Sequence, residues 1–206
     1  MIASVIDRHL RDIKEELMTP IASVAGDTVH PTAITLVSGG LGILCAICAA
    51  LGFYVPGLIL WLLNRFLDGL DGTLARFTGR QSDLGAYLDL MFDFIIYALV
   101  PISLVSSRPT TAAMVALIGM LAAFYVNAAS WLVLSVLLEH RKHNTKTWGE
   151  LTSLAMPTGL IEGAETVVFY TMFFLFPGDL PLLFGVFGLL VVVTIIQRIG
   201  WAVDHL

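Results

Sequence analysis

Four aspartates in the chain have the types and spacing of a catalytic cluster. Asp68 and Asp71 are three residues apart, and Asp89 and Asp93 are four residues apart. On a helix, these spacings place each pair along one face. The short turn expected around Gly79 makes the two helices antiparallel neighbours. Asp71 and Asp89 then lie at similar depths, roughly 12–15 Å from that turn at ~1.5 Å per residue, so the four carboxylates are expected to converge.

These carboxylates lie in an apolar part of the chain, between GFYVPGLILWLLNRFL and FIIYALVPISLV. A charged side chain at the middle of a membrane costs about 2.5–3.5 kcal/mol on insertion scales. Arg76 offsets one charge at most, so a bound cation is the simplest further compensation. Oxygen ligands select hard cations, so Mg²⁺ or Mn²⁺ is expected and Ca²⁺ is also compatible. Four carboxylates suffice for two divalent cations, the arrangement that clamps phosphoryl groups.

The composition of the chain is that of an integral membrane protein. Of its 206 residues, 57% are hydrophobic and 13% are charged, and the mean hydropathy is +0.87. Soluble domains average about 25% charged residues. The net charge is −5 and the sequence has no block of like charges, so a nucleic-acid partner is not indicated.

The apolar residues predict an all-α integral membrane protein. Residues 1–24 alternate apolar and charged side chains at helical spacing, which predicts an N-terminal amphipathic juxtamembrane helix, either on the membrane surface or packed on the membrane domain. A six-helix transmembrane catalytic domain is predicted at 31–202. Each of its segments is near the ~20 residues that a span requires, and they are 31–53, 56–77, 83–106, 110–138, 155–176 and 180–201.

The basic residues predict the orientation of these spans. Only Arg108 falls on one side of the predicted membrane domain. The positive-inside rule places the opposite side, with both termini, in the cytoplasm. The basic residues on that side are Arg8, Arg11, Lys14, Arg76, Arg80, Arg141, Lys142, Lys146 and Arg198.

The aspartates and their neighbours resemble the motif of the CDP-alcohol phosphotransferases, D-x2-D-G-x2-A-R-x8-G-x3-D-x3-D. Every fixed position matches, and the residues are Asp68, Asp71, Gly72, Ala75, Arg76, Gly85, Asp89 and Asp93. Six spans after a surface helix is also that family's usual plan. HPTAITLVSGG is similar to the start of the family's first span, and TIIQRIGW to the end of the last span in the phosphatidylinositol-phosphate and phosphatidylglycerophosphate synthase branches.

The resemblance implies a metal-dependent phosphatidyltransferase of phospholipid synthesis. The donor is CDP-diacylglycerol or a similar CDP-linked lipid, an acceptor hydroxyl attacks it, and CMP leaves. It also implies a homodimer in a prokaryotic cell membrane, with the active site facing the cytoplasm. The implied metal ligands are Asp68, Asp71, Asp89 and Asp93, with Asp93 also the catalytic base, and the implied CDP-binding residues are Gly72, Ala75, Arg76 and Gly85.

The sequence is less specific about the acceptor alcohol than about the donor. Where the inositol-phosphate branch has a segment like E-R-P-E-R, this chain has Glu162 and Glu165 but Gly163 and Thr166 in place of the arginines. Carboxylates in the acceptor pocket would favour an amino alcohol or a neutral polyol. The candidate acceptor-pocket residues are Glu162, Glu165, Arg141, Lys142 and Arg198.

Three alternatives remain open at this level. The basic candidates could still bind a phosphorylated acceptor, as in the phosphatidylinositol-phosphate and phosphatidylglycerophosphate synthases. Glu162 and Glu165 could instead form salt bridges or cap a helix. An ion-coupled transporter would also place acids within spans, although the broken helices or inverted repeats typical of transporters are not seen.

Arg65, three residues before Asp68, is predicted to pair with a carboxylate of the motif or of the fifth span.

Overall fold

The computed structural model describes residues 18–20, 29–145 and 159–206, without the side chains of 142–145. These residues form helices and no strand, which confirms the predicted all-α class. The predicted helix at 1–24 lies outside the described residues, except for a helical piece at 18–20. The long helices are α1 (Pro31–Ala50), α2 (Tyr54–Thr78), α3 (Asp83–Ser107), α4 (Thr111–Thr145), α5 (Gly163–Leu175) and α6 (Leu180–His205).

Four of these helices are long and apolar enough to cross a membrane within the described part of the chain, namely α1, α3, α4 up to Arg141, and α6. The α2 helix has 25 residues, but its second half carries charged side chains, including Asp68 and Asp71. The α5 helix has only 13 residues and begins at Gly163, later than the predicted start at 155. The structure therefore supports a multi-pass protein, and the count of six spans stays a prediction.

The turn between α2 and α3 has the chemistry that its sequence indicates. Gly79 ends α2 with φ +64°, a left-handed conformation that glycine adopts without strain. The side chain of Ser82 caps α3 and accepts a hydrogen bond from the backbone N–H of Gly85 at 3.1 Å. The two motif-bearing helices are thus joined by a short, well-defined connection.

The α2 and α3 helices are antiparallel, but side chains rather than closely packed backbones connect them. Arg65 reaches Asp93, and Trp61 contacts Tyr97 farther from the turn. The α1 helix packs extensively against both helices, whereas α2 and α3 make little backbone contact with each other. The prediction of antiparallel neighbours is thus confirmed, and the structure adds that α1 lies against both helices.

Two glycines allow α1 to approach α3. A Cβ atom on Gly39 would lie 2.6 Å from Cδ1 of Phe92, and one on Gly42 would lie 2.2 Å from Cδ1 of Ile96. Both distances are far shorter than van der Waals contact, so only glycine fits at this separation. On its other side, α1 is tied to α2 because the amide of Asn64 donates to the backbone carbonyl of Ser38 at 2.8 Å.

An aromatic cluster holds α2, α3 and α5 together beyond the aspartates. Trp61 stacks on Tyr170 with a centroid distance of 5.1 Å, and its indole N–H donates to the Thr171 hydroxyl at 3.2 Å. The Tyr170 hydroxyl donates to the backbone carbonyl of Tyr97 at 2.6 Å. These buried rings give the polar cluster a firmly packed base.

The close approach of α1 and α3 leads to a stability prediction with a matched control one residue away. Gly39→Ala should lower the midpoint of thermal unfolding in detergent by several degrees, because overpacking a core typically costs about 1–3 kcal/mol. Gly40→Ala should keep or raise that midpoint, because a Cβ there meets no atom within 4 Å and alanine favours a helix by up to ~1 kcal/mol. Equal midpoints for the two variants would contradict the described packing.

Candidate active site

Most of the motif borders one cavity of about 230 Å³ between α1, α2 and α3. Its walls also include Pro31, Thr32 and Thr35 of α1 and the turn residues Arg80, Gln81 and Ser82. The structure therefore brings together residues that are up to 18 positions apart along the motif. The motif residues that line the cavity are Asp71, Gly72, Ala75, Arg76, Gly85 and Asp89.

The other two motif aspartates lie outside the cavity lining, one helical turn farther from the turn at Gly79. Asp93 Oδ1 is 2.7 Å from Nη1 of Arg65, and Asp68 Oδ1 is 3.7 Å from Nη2 of the same side chain. Asp89 interacts electrostatically with Asp71 and Asp93 and is also close to Asp68. The four carboxylates therefore form one cluster, with two members at the cavity and two beside Arg65.

Asp71 is held by a side chain from a different helix. Asp71 is 4% exposed, and its Oδ2 atom accepts a hydrogen bond from the Thr35 hydroxyl at 2.6 Å. Thr35 is not among the site residues predicted from the sequence. A stripe of small and polar residues that marks this face of α1 could have revealed it, namely Pro31, Thr35, Ser38, Gly39 and Gly42.

Arg65 has several partners that fix its position. Its Nε donates to the amide oxygen of Asn64 at 2.8 Å, and its Nη1 donates to the Tyr97 hydroxyl at 2.9 Å as well as to Asp93. The guanidinium also lies 5.1 Å from the ring centroids of both Trp61 and Tyr97. The prediction that Arg65 pairs with motif carboxylates is confirmed, whereas Asn64 and Tyr97 were not anticipated.

The two motif glycines leave space beside the cavity for different reasons. A Cβ on Gly72 would meet only Nη1 of Arg76, at 3.4 Å. Within the described part of the chain no helix packs against Gly72, so helix packing there does not explain the glycine. A Cβ on Gly85 would lie 3.0 Å from Oγ of Ser82, so that glycine also protects the cap of α3.

The electrostatics of the cavity suit a charged ligand. The carboxylates of Asp71 and Asp89 lie deep in the cavity, and the exposed Arg76 and Arg80 lie toward its surface. A guanidinium is a good partner for phosphate oxygens, and carboxylates are the usual partners of hard cations. The arrangement can thus accept a phosphorylated ligand together with a divalent cation.

The donor chemistry of the cluster fits such a cation. Within the described residues, no three acidic, histidine or cysteine side chains are already arranged as a metal-ligand set. The carboxylates are instead held by protein groups, Asp71 by Thr35 and Asp93 by Arg65. An all-oxygen set of carboxylates is what Mg²⁺, Mn²⁺ and Ca²⁺ prefer, so Asp68, Asp71, Asp89 and Asp93 remain the candidate ligands.

Of the candidate acceptor-pocket residues whose side chains the structure describes, none lines this cavity; these are Glu162, Glu165, Arg141 and Arg198. Glu162 and Glu165 form a capping box at the start of α5, where Glu162 Oε1 accepts from the backbone N–H of Gly159 at 2.6 Å and Glu165 Oε2 from that of Glu162 at 3.1 Å. This is the helix-capping alternative that the sequence left open, and it explains why α5 begins at Gly163.

The basic candidates lie on α4 and α6, which pack against each other. Arg198 is 6% exposed, donates to the Asn127 side-chain and backbone oxygens at 2.8 and 3.0 Å and interacts electrostatically with Glu162. Arg141 donates to the backbone carbonyls of His205 and Leu206 at the end of α6. The side chain of Lys142 lies outside the described residues.

Comparison with known proteins identifies the family of the chain. Residues 28–199 match the family described as CDP-alcohol phosphatidyltransferase, and this match covers most of the chain. The chain belongs to that family. It is therefore a phosphotransferase, and the CDP-alcohol phosphatidyltransferase family implies a CDP-linked lipid donor, an alcohol acceptor and a general dependence on divalent metal.

Individual relatives of this CDP-alcohol phosphatidyltransferase differ in how much of the chain they cover. The inner membrane protein YnjF of Escherichia coli is 34% identical over 197 residues, which is 95% of this chain and 94% of the relative. A bifunctional IPC transferase and DIPP synthase of Thermococcus kodakarensis is 35% identical over 43% of this chain and 19% of its own length. An archaetidylinositol phosphate synthase of Aeropyrum pernix is 51% identical over 20% of this chain and 21% of the relative.

The open space at Gly72 leads to a binding prediction. In this CDP-alcohol phosphatidyltransferase, Gly72→Ala should weaken binding of CDP-diacylglycerol about tenfold or more, which corresponds to ~1.4 kcal/mol, because the added methyl group occupies cavity space. The midpoint of thermal unfolding should not fall, since no packed atom opposes the methyl group. Gly119→Ala in α4 is the matched control, because a Cβ there also meets no atom within 4 Å. Unchanged donor affinity in Gly72→Ala, measured by calorimetric titration, would place the donor elsewhere.

Proposed function

We propose that this protein transfers a phosphatidyl group from CDP-diacylglycerol, or a similar CDP-linked lipid, to an acceptor hydroxyl and releases CMP. The observation that carries the proposal is one cavity whose lining includes Asp71, Asp89, Gly72, Arg76 and Gly85. A transporter would need a continuous polar path for its ion, whereas this cavity combines carboxylates, arginines and open backbone as a phosphorylated ligand requires. In this proposal, the CDP group occupies the space beside Gly72, Ala75, Arg76 and Gly85.

The proposed mechanism assigns the chemistry to side chains of the cluster. Asp68, Asp71, Asp89 and Asp93 would hold two divalent cations, Mg²⁺ or Mn²⁺, which supply charge neutralisation at the phosphate oxygens. Asp93 accepts the proton of the acceptor hydroxyl. The acceptor oxygen then bonds to the lipid-bearing phosphorus as the bond from that phosphorus to the bridging oxygen breaks, and CMP departs with that oxygen. Positioning and neutralised charge are the main requirements of phosphoryl transfer.

The proposal includes an orientation in the membrane. The arginines at the mouth of the cavity, Arg76 and Arg80, lie at the same end of α2 and α3 as the turn that joins them. The positive-inside rule places this end in the cytoplasm, where CMP can leave and a water-soluble acceptor can arrive. All six helices would cross the membrane in this arrangement, and the homodimer that the resemblance implies stays a prediction.

Two acceptor classes have comparable support. An amino alcohol or a neutral polyol is favoured by Gly163 and Thr166, which stand where the inositol-phosphate branch has arginines. A phosphorylated polyol is favoured by the buried Arg198 and by the relatives named archaetidylinositol phosphate synthase. The capping role of Glu162 and Glu165 weakens the argument for a cationic acceptor, because those carboxylates already bind the backbone at the start of α5.

An acceptor panel tests the proposed reaction. The full chain in detergent micelles with CDP-diacylglycerol and Mg²⁺ should release CMP only when metal and a suitable acceptor are both present. Serine, ethanolamine, inositol and glycerol represent the first acceptor class, and inositol phosphate and glycerol phosphate represent the second. Activity with the phosphorylated compounds alone would exclude the first class. Ion flux in liposomes without CMP release from any acceptor would exclude the enzyme and favour the transporter.

The proposed base gives a second, sharper prediction. Asp93→Asn should reduce CMP release to background, because an amide has no basic oxygen for the acceptor proton, while donor binding measured in parallel should change by less than about tenfold. Asp83→Asn is the matched control, because Asp83 lies in the first turn of α3 and outside the cavity lining. Normal turnover in Asp93→Asn would remove Asp93 from the role of base.

A further inference from the structure

Arg65 is a buried arginine that the motif does not include. Its side chain is 8% exposed, and within the described residues its Nη2 atom is buried without a hydrogen-bond partner. Nη2 forms an ion pair with Oδ1 of Asp68 at a distance of 3.7 Å. Burial of a charged group with unused donors is costly, so packing alone does not account for Arg65.

The geometry around Arg65 uses the shape of the guanidinium as well as its charge. Nε is directed at Asn64, Nη1 at Asp93 and Tyr97, and Nη2 toward Asp68. Only a planar fork of donors can satisfy these directions together, and a lysine ammonium on its flexible stem does not reproduce them.

The position of Arg65 is itself determined by neighbours on three helices. Asn64, which receives the Nε hydrogen bond, is fixed to Ser38 of α1 through its amide at 2.8 and 3.0 Å. The rings of Trp61 on α2 and Tyr97 on α3 lie against the guanidinium at 5.1 Å. The guanidinium is therefore a rigid reference point for the carboxylate that it contacts.

We propose that Arg65 is a positioning residue that sets the orientation of Asp93 for its reaction with the acceptor hydroxyl. A carboxylate group is planar and rigid, so the 2.7 Å contact from Nη1 to Oδ1 also restricts where Oδ2 can lie. This inference rests on the proposed function, since it assumes that Asp93 is the base. Arg65 does not line the cavity and acts on the reaction only through Asp93.

The alternative is that Arg65 only neutralises the charge of Asp68 and Asp93 in an apolar interior. Substitution of Arg65 by lysine distinguishes the two roles. Lysine keeps the positive charge but loses the fork, so it preserves neutralisation and removes orientation. A positioning defect lowers kcat while leaving donor binding intact, whereas loss of a substrate contact raises the KM for the donor.

The experiment measures kcat, donor KM and unfolding midpoint for Arg65→Lys, using CDP-diacylglycerol, Mg²⁺ and the panel acceptor with the fastest CMP release. We expect kcat to fall about tenfold to 100-fold, since misplacement by ~1 Å can cost that much, with donor KM within about twofold of the wild type. Tyr97→Phe, which keeps the ring but removes the hydroxyl that contacts Arg65, should show a smaller kcat loss of the same kind. Arg108→Lys is the matched control, because Arg108 also lies over a tyrosine ring, that of Tyr54 at 5.7 Å, but outside the cluster.

Each result bears on a specific part of the proposal. A wild-type kcat in Arg65→Lys would overturn the positioning role and leave charge neutralisation. A donor KM that rises in proportion to the loss of kcat/KM would overturn it as well, since Arg65 would then be a substrate contact. A wild-type enzyme that releases no CMP would overturn the proposed function itself, whereas an active wild type with a normal Arg65→Lys variant overturns only the role of Arg65.

Discussion

The structure depends on keeping four carboxylates together in an apolar interior. Each would be costly there alone, and the described contacts show how the fold reduces that cost. Thr35 donates a hydrogen bond to Asp71, and Arg65 pairs with Asp93 and lies near Asp68. These partners come from two different helices, α1 and α2, so the packing of those helices determines where the carboxylates lie. The same contacts therefore offset the charges of the aspartates and fix their positions.

The separation of α2 and α3 follows from that constraint. If their backbones packed closely, the aspartates would face each other without room for a ligand, and their mutual repulsion would be largest. The α1 helix instead lies against both, and it can do so because Gly39 and Gly42 admit the side chains of Phe92 and Ile96. A cavity then forms at the end nearest the turn, and side chains bridge the two helices farther along.

The sequence predicted the helical class, the turn around Gly79 and the clustering of the aspartates, because each depends on local spacing within a continuous segment. It did not reveal Thr35, Asn64 or Tyr97. Their roles depend on contacts between helices, and a threonine or tyrosine in an apolar helix has many uses. The predicted start of the fifth span at 155 was too early because it followed the apolar residues alone, whereas the capping box that Glu162 and Glu165 form at i, i+3 spacing starts α5 at Gly163.

The cluster divides into two parts with different surroundings. Asp71 and Asp89 border the cavity, where arginines at the mouth can meet phosphate oxygens. Asp68 and Asp93 lie one turn farther from the mouth, beside a guanidinium that is fixed by Asn64 and by aromatic rings. In the proposed reaction all four carboxylates would hold cations, and Asp93 would also remove the acceptor proton while Arg65 sets its orientation. The antiparallel arrangement of α2 and α3 places one aspartate of each helix at the cavity and the other beside the guanidinium of Arg65.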